Sequence, residues 1–117
     1  SLVGSEMCIE TALRQGETIP LRTALLQNFP NPFNPETWLP YTLSSDAHVV
    51  IDIFDVRGNL IRHLDLGLRK AGFYVDRSTA AYWDGRNEQG EQVATGIYLY
   101  AISAGEFRAI RRMLLVK

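Results

Sequence analysis

The stretch His48-Val-Val-Ile-Asp-Ile-Phe-Asp-Val56 decides the fold class of this chain. Its branched apolar residues Val49, Ile51 and Ile53 recur at every second position. Successive side chains of a β-strand point to opposite faces, so this alternation places the three residues on one face. An amphipathic helix would instead need apolar residues three and four positions apart. The stretch therefore predicts a β-strand that turns one face toward a core.

Similar short runs lie on both sides of this strand. Thr37–Leu43 also alternates, and Pro40 within it favours an edge position or an unpaired amide. Ile97–Ser103 is apolar on both phases, which is typical of a strand near the middle of a sandwich. Turns such as Asp55–Gly58 separate the runs, and no helix is long enough to connect parallel strands. We therefore predict an all-β fold, an antiparallel sandwich or barrel of about seven strands.

The composition is that of one ordinary globular domain. The chain has 117 residues, of which 46% are hydrophobic and 21% are charged, and its formal net charge is -1. A charge this small creates no field that attracts nucleic acid, so we expect no nucleic-acid partner. No stretch approaches the ~20 apolar residues of a membrane span. Cys8 is the only cysteine, so no disulfide can form within the chain.

Residues 1–23 are the least decided part of the sequence, and two interpretations remain open. They form a linker or the remnant of an upstream region, or they include a short helix over Glu6–Gln15. The apolar stripe of that helix would include Met7 and Leu13, but a helix this short is stable only when it docks on a neighbour. We expect the folded domain to occupy residues 24–117.

An ordered series of short motifs runs through this folded domain. The series is Leu26-Gln-Asn-Phe-Pro-Asn-Pro-Phe-Asn-Pro35, Ile53-Phe-Asp-Val-Arg-Gly58, Ala71-Gly72, Trp83-Asp-Gly85, Gly90, Thr95-Gly-Ile-Tyr98, Ala104-Gly105 and Arg112-Met-Leu-Leu-Val-Lys117. It resembles the C-terminal sorting domains of proteins exported by the type IX (Por) secretion system. That family is similar in turn to the immunoglobulin-like domain of the flagellar hook-capping protein. The resemblance implies an immunoglobulin-like β-sandwich over residues 24–117.

The resemblance also implies a function. It predicts a non-catalytic C-terminal module of a larger exported bacterial protein, secreted or held at the cell surface, whose last strand is a sorting signal. Its partners would be the secretion machinery of the outer membrane and the upstream domains of the parent protein. The module would also serve for attachment to the cell surface. The residues expected to be recognised are Arg111, Arg112, Met113, Leu114, Leu115, Val116 and Lys117.

The remaining motif residues are expected to shape turns and the core. A tryptophan at a strand end fills core volume, an aspartate accepts hydrogen bonds from loop amides, and a glycine supplies a positive φ. Prolines fix φ and remove a backbone donor, so the stretch that contains three of them reads as an ordered turn. These structural residues are Pro30, Asn31, Pro32, Phe33, Asn34, Pro35, Gly58, Trp83, Asp84, Gly85 and Gly96.

No arrangement of side chains in the sequence predicts catalysis or metal binding. His48 and His63 are the only histidines, and neither belongs to a Ser-His-Asp order or a His-x-x-x-His spacing. Asp84–Glu91 contains fragments of a calcium loop, but their spacing does not match the EF-hand pattern. We therefore expect that the protein is not an enzyme and needs no metal or cofactor.

A second interpretation belongs to a different class of function. Immunoglobulin-like sandwiches serve many functions, so the fold alone does not decide among them. In this interpretation the domain is an adhesive or spacer module that binds a carbohydrate or a protein. Four aromatic residues would then be exposed and would stack on the ligand. They are Phe73, Tyr74, Tyr82 and Tyr98.

Overall fold

The computed structural model describes residues 11–14 and 17–116, and every regular element within them is a β-strand. The strands are β1 (Thr11–Arg14), β2 (Glu17–Pro20), β3 (Ala24–Leu25), β4 (Thr37–Leu39), β5 (Tyr41–Leu43), β6 (Ala47–Asp55), β7 (Leu60–Arg69), β8 (Gly72–Tyr74), β9 (Ala81–Trp83), β10 (Gly96–Ala104) and β11 (Phe107–Leu115). All of their pairings are antiparallel. The predicted all-β antiparallel class is confirmed. The described strands outnumber the predicted ones partly because the Thr37–Leu43 run is broken into two.

Four strands form the larger layer, in the order β11-β10-β6-β7. β10 pairs with β11 on one side and with β6 on the other, so it is an interior strand of this sheet. The alternation decides which side chains face inward: Val49 and Ile53 of β6 and Tyr100 of β10 are fully buried. The opposite phase of β10 faces solvent, and its Ile97 is 45% exposed. The larger layer therefore has an uncovered outer face with apolar residues on it.

The smaller layer is centred on a run of chain that is broken at Pro40. β4 pairs with β9, β5 pairs with β8, and β3 joins β5 on its other side. Pro40 lies between β4 and β5, and β5 pairs with β3 on one side and β8 on the other, so its predicted edge position is wrong. The alternative prediction of an unpaired amide agrees with the structure, because the strand stops at this residue and resumes after it. The Pro40 carbonyl accepts a hydrogen bond from the Leu26 amide at 3.0 Å.

The first two strands form a hairpin in which Thr11–Arg14 pairs with Glu17–Pro20. The short helix that the sequence allowed over Glu6–Gln15 is therefore wrong for Thr11–Arg14, and the rest of that range lies outside the described residues. Cross-strand backbone hydrogen bonds satisfy the chain here. β2 lies against β5 and β8 of the smaller layer. The domain boundary at residue 24 stays a prediction.

The two layers share one hydrophobic core. Leu39, Tyr41 and Leu43, which alternate in the sequence, are all buried there. Trp83 is 1% exposed, and its ring lies 5.7 Å from the ring of Phe33 and 5.7 Å from that of Tyr98, measured between centroids. Tilted and edge-on aromatic pairs of this kind each add about 0.5–1.5 kcal/mol beyond their burial. An aromatic cluster around Trp83 therefore joins the proline-rich turn to both layers.

Buried polar groups connect the same turn to the core. The Tyr100 hydroxyl donates to the Leu26 carbonyl at 2.7 Å and accepts from the Asn28 amide at 2.8 Å. The Asn28 side chain is buried in turn and donates to Thr37 Oγ1 at 3.0 Å and to the Pro30 carbonyl at 3.1 Å. Within the described residues, every buried side-chain nitrogen and oxygen has a partner. These bonds fix the start of the turn relative to β10.

Two buried phenols make the stability of the domain depend on pH at the alkaline end. Burial raises the pKa of Tyr41 and that of Tyr100 to about 12 from the ordinary value of 10.0. From pH 10 to pH 12 the unfolded chain therefore loses protons that the native state keeps, and the free energy of unfolding falls as pH rises. Tyr100→Phe removes one phenol, so we expect a shallower fall over this window. Urea denaturation across the pH series measures both slopes, and equal slopes would contradict the prediction.

Candidate functional site

The candidate site is built on β11, which is an edge strand of the larger layer. Its side chains alternate between core and solvent: Met113 and Leu115 are 2% and 1% exposed, whereas Arg112 and Leu114 face outward. The predicted recognition residues therefore fall into two groups, one buried in the core and one facing solvent. Val116 continues the outward row beyond the strand.

Two further members of the predicted recognition set differ from this pattern. Arg111 lies on the inward phase but remains exposed, because it sits at the open margin between the two layers. Its Nε donates to the Leu25 carbonyl of β3 at 2.6 Å. Lys117 lies outside the described residues. Met113 and Leu115 are core residues, so fewer side chains are available to a partner than the sequence predicted.

The proline-rich turn covers the backbone edge of the second half of β11. The Phe33 amide donates to the Leu114 carbonyl and the Val116 amide donates to the Phe33 carbonyl, both at 2.9 Å. Asn31 Oδ1 accepts from the Leu114 amide at 3.0 Å. Gln27 Nε2 donates to the Arg112 carbonyl at 2.8 Å. Recognition of this part of the strand must therefore depend on its side chains.

A shallow hollow of about 500 Å³ lies beside these side chains. Its floor is apolar, with Ile97, Ile110 and Leu114 all partly exposed. Arginines form its rim, and no acidic side chain lines it. The hollow is lined by Gln27, Asn31, Ile97, Ile110, Arg111, Arg112, Met113 and Leu114. A partner with an acidic and an apolar group close together would fit this surface.

The loop that follows β9 holds the turn in place from the other side. The Trp83 indole donates to the Arg86 carbonyl at 2.9 Å, and Asp84 Oδ1 accepts from the Arg86 amide at 3.0 Å. Gly85 has a φ of 79° and passes so close to Pro35 that a Cβ would lie 2.5 Å from the Pro35 carbonyl oxygen. The tryptophan-aspartate-glycine motif and the proline-rich turn are therefore one packed unit.

Comparison with known proteins places this fold in a family. Residues 36–106, more than half of the chain, match the family model described as the FlgD Ig-like domain. The chain belongs to the FlgD Ig-like domain family. The immunoglobulin-like class that the sequence motifs predicted is thereby confirmed. No curated protein sequence matches this Ig-like domain.

Two solved structures contain a domain similar to this Ig-like domain. The dimeric latent PorU from Porphyromonas gingivalis is 23% identical to it over 79% of the chain, with a TM-score of 0.57. PorZ, described as an essential bacterial surface component of the type-IX secretion system of the same organism, is 19% identical over 80% of the chain, with a TM-score of 0.52. The likeness to both agrees with the resemblance found in the sequence motifs, and at this identity it establishes the fold. The chain spans only 9% of the PorU chain and 12% of the PorZ chain.

Several polar side chains of the loop after β9 and of the β6–β7 pair bond within the Ig-like domain. Asn87 Oδ1 accepts from two loop amides, and Glu88 Oε2 accepts from the His63 amide of β7. His63 also bonds to Asp52 on the neighbouring strand, and that hydrogen bond raises the pKa of His63. In the described part of the chain, no group of three or more His, Cys, Asp or Glu side chains could hold a metal. Nor does that part contain a helix that could span a membrane.

The four aromatic residues of the adhesive interpretation lie in different environments. Tyr98 is buried, so its predicted exposure is wrong: both phases of β10 are apolar, and this one faces the core. Tyr74 stacks on Tyr41 at 4.8 Å between centroids and is half-buried, as is Phe73. Only Tyr82 is well exposed, at 46%.

Tyr82 belongs to an aromatic row that the sequence reasoning did not single out. Its ring lies 5.4 Å from that of Trp38, which lies 6.1 Å from that of Phe29 on the other side. The three come from β9, β4 and the turn, and strict alternation around Trp38 would have placed it outward. The Arg77 guanidinium lies 4.6 Å above the Trp38 ring, so the central face of the row is already occupied.

We predict that replacing Gly85 by alanine destabilises the domain more than replacing Gly90. Both have a positive φ, 79° and 83°, which costs an L-residue about 1–2 kcal/mol. Only at Gly85 would the new Cβ also collide with Pro35, because nothing lies within 4 Å of the same atom at Gly90. We expect Gly85→Ala to lower the free energy of unfolding by about 2 kcal/mol more than Gly90→Ala does. Chemical denaturation of the two variants measures the difference, and equal losses would contradict the close approach.

Proposed function

We propose that this Ig-like domain is a non-catalytic C-terminal module of a larger exported bacterial protein and acts as its secretion and sorting signal. The observation that carries the proposal is the alternation along the second half of β11. Met113 and Leu115 are fixed in the core, so Arg112, Leu114 and Val116 project as one outward row beside the apolar hollow. The folded sandwich thereby holds one basic and two apolar side chains in a fixed row on its surface.

The similarities to known proteins support this function. The ordered motifs resemble type IX sorting domains, and PorZ, which has a similar domain, is described as a surface component of that secretion system. The chain is about the size of one domain in proteins that are many times longer, which supports a module joined to upstream domains. In this proposal the parent protein is secreted or attached at the cell surface, and the module's partner is the secretion machinery of the outer membrane.

Side chains, and not backbone groups, would carry the recognition. The backbone edge of Arg112–Val116 is already bonded to the turn through Phe33, Asn31 and Gln27. Strand addition at this place would require the turn to detach, which would expose the Phe33 ring that lies against Trp83. Outward residues two positions apart in a strand are separated by about 7 Å. The receptor surface should therefore place acidic and apolar groups at that spacing.

The proposal is tested by changing the outward row and leaving the core residues intact. We expect Arg112→Glu combined with Leu114→Ser to reduce export of an attached reporter at least about fivefold in a bacterium with a type IX system, because both recognition contacts are lost. The matched control combines Arg57→Glu with Leu68→Ser, which changes an exposed arginine and a leucine that is 80% exposed, away from β11. Reporter in the culture medium and at the cell surface is measured by immunoblot.

The fold of each variant is checked first by thermal unfolding. Deletion of Met113–Lys117 should also block export, but it removes two core side chains and therefore tests folding and recognition together. Normal export of the folded Arg112→Glu/Leu114→Ser variant would overturn the proposal. Equal loss of export in the control variant would also overturn it, because the effect would then reflect surface charge and polarity in general.

A further inference from the structure

We infer that the first half of β11, together with β3, forms an acceptor site for an extended, acidic protein segment that adds to the larger sheet as a strand. The site lies at Phe107–Arg111, before the outward row of the proposed sorting signal. It goes beyond the proposed function, because it concerns a different stretch of backbone and a different mode of binding. Three properties of the described residues carry the inference: an open edge, an apolar groove and unneutralised positive charge.

The open edge follows from the hydrogen-bond phase of β11. Leu114 and Val116 direct their backbone groups away from β10, toward the proline-rich turn. Arg108 and Ile110 share this phase, since they lie an even number of residues before Leu114. The turn ends its contacts at Arg112, and no strand among residues 11–14 and 17–116 pairs with β11 beyond it. No described residue bonds the amides and carbonyls of Arg108 and Ile110, so these groups could pair with an added strand.

The groove lies between this edge and β3, the edge strand of the smaller layer. Its volume is about 520 Å³, and most of its lining is apolar. Ile110 is 59% exposed at its margin, so it offers an apolar contact to a side chain of the added strand. The lining residues are Arg22, Thr23, Ala24, Leu25, Leu26, Phe107, Ala109, Ile110 and Arg111. Arg111, whose Nε donates to the Leu25 carbonyl at 2.6 Å, bridges one end of the groove, so an extended segment would lie before this bridge, along Phe107–Ile110.

Charge identifies the chemistry of the added segment. The arginines at the site lie on both faces of the open edge, with Arg108 on the outer face and Arg22 and Arg111 toward the groove. None of the three takes part in an ion pair with any described residue. The groove has no acidic lining residue, although Glu106 lies in the adjacent hairpin turn. Because alternate side chains of a strand point to the same face, acidic residues two positions apart would share the face that meets Arg22 and Arg111 in the groove.

A protein segment fits this site better than a nucleic acid does. Phosphates would also be attracted by the arginines, but a nucleic-acid backbone cannot continue the ladder of amides and carbonyls at Arg108 and Ile110. Burying the apolar margin at Ile110 also needs an aliphatic side chain. The expected ligand therefore alternates glutamate or aspartate with aliphatic residues in an extended conformation.

The test uses the chain itself and a fluorescent peptide of about eight residues that alternates glutamate with valine. Fluorescence anisotropy should show salt-dependent binding, and the amide protons of Arg108 and Ile110 should become protected from exchange. The control peptide has the same sequence with alternate amides N-methylated, which keeps its charge but prevents strand addition. We expect the N-methylated peptide to bind at least about tenfold more weakly. These measurements use the unaltered chain, so they do not depend on whether a variant folds.

Variants of the chain then test the contribution of the arginine charges separately from that of the backbone edge. Arg22→Glu with Arg108→Glu should weaken peptide binding at least about fivefold, while Arg57→Glu, remote from the groove, should change it less than about twofold. Ile110→Pro removes an amide that β10 does not use and should also prevent binding.

Three results would overturn the inference: no binding, equal binding of the N-methylated peptide, or stronger binding of a single-stranded oligonucleotide of the same length. None of them would bear on export, which is measured with Arg112 and Leu114 variants.

Discussion

The backbone of Phe33 joins the proline-rich turn to the last described strand, and the rest of the domain depends on that contact. Its amide and carbonyl bond to Leu114 and Val116, while its ring lies against Trp83 in the core. A turn with three prolines cannot pair as an ordinary strand, so it presents only a few backbone groups for bonding. Those few groups form hydrogen bonds with Leu114 and Val116, whose outer backbone edge would otherwise be unpaired. One residue therefore covers the second half of an edge and also fills part of the core.

The two edges of the larger layer are protected by different means. At β7, the His63 amide donates to Glu88 of the loop after β9, and register shifts near Val49 and Ile53 disrupt the ladder. Bulges and covering loops are common protections against edge-to-edge association. At β11 the turn covers only the second half, and arginines flank the first half. Like charges discourage pairing between two copies of this edge, although they leave it available to an acidic strand.

Period-two alternation made much of this fold predictable from the sequence. Val49, Ile51 and Ile53 are buried as their spacing indicates, and the same rule applied to Arg112–Val116 would have separated Met113 and Leu115 from the outward row. Alternation cannot decide which face of β10 turns inward, because both of its phases are apolar, and Tyr98 was therefore misplaced. Ile97 could have been found as a neighbour of Leu114 by counting residues outward from the Ala104-Gly105 hairpin.

Contacts between distant parts of the chain were beyond the reach of pattern reasoning. The sequence identified the proline-rich turn as ordered and Phe33 as a structural residue, but the bond from Phe33 to Leu114 joins residues 81 positions apart. No local signal specifies such a pairing. The same holds for the Tyr100 hydroxyl, whose bonds to Leu26 and Asn28 depend on how the layers stack. At Thr11–Arg14, a weak helical stripe gave way to a strand because a neighbouring segment offered a complete ladder.

Because Met113 and Leu115 are buried, the surface formed by Arg112–Val116 cannot be transferred to another protein as a short segment. A short peptide copied from Arg112–Val116 would have no core to hold alternate residues inward, so it would sample many orientations and present no single surface. Grafting these residues onto another protein would therefore transfer their chemistry without their arrangement. The whole sandwich, including the turn around Phe33, is the smallest unit that carries the display.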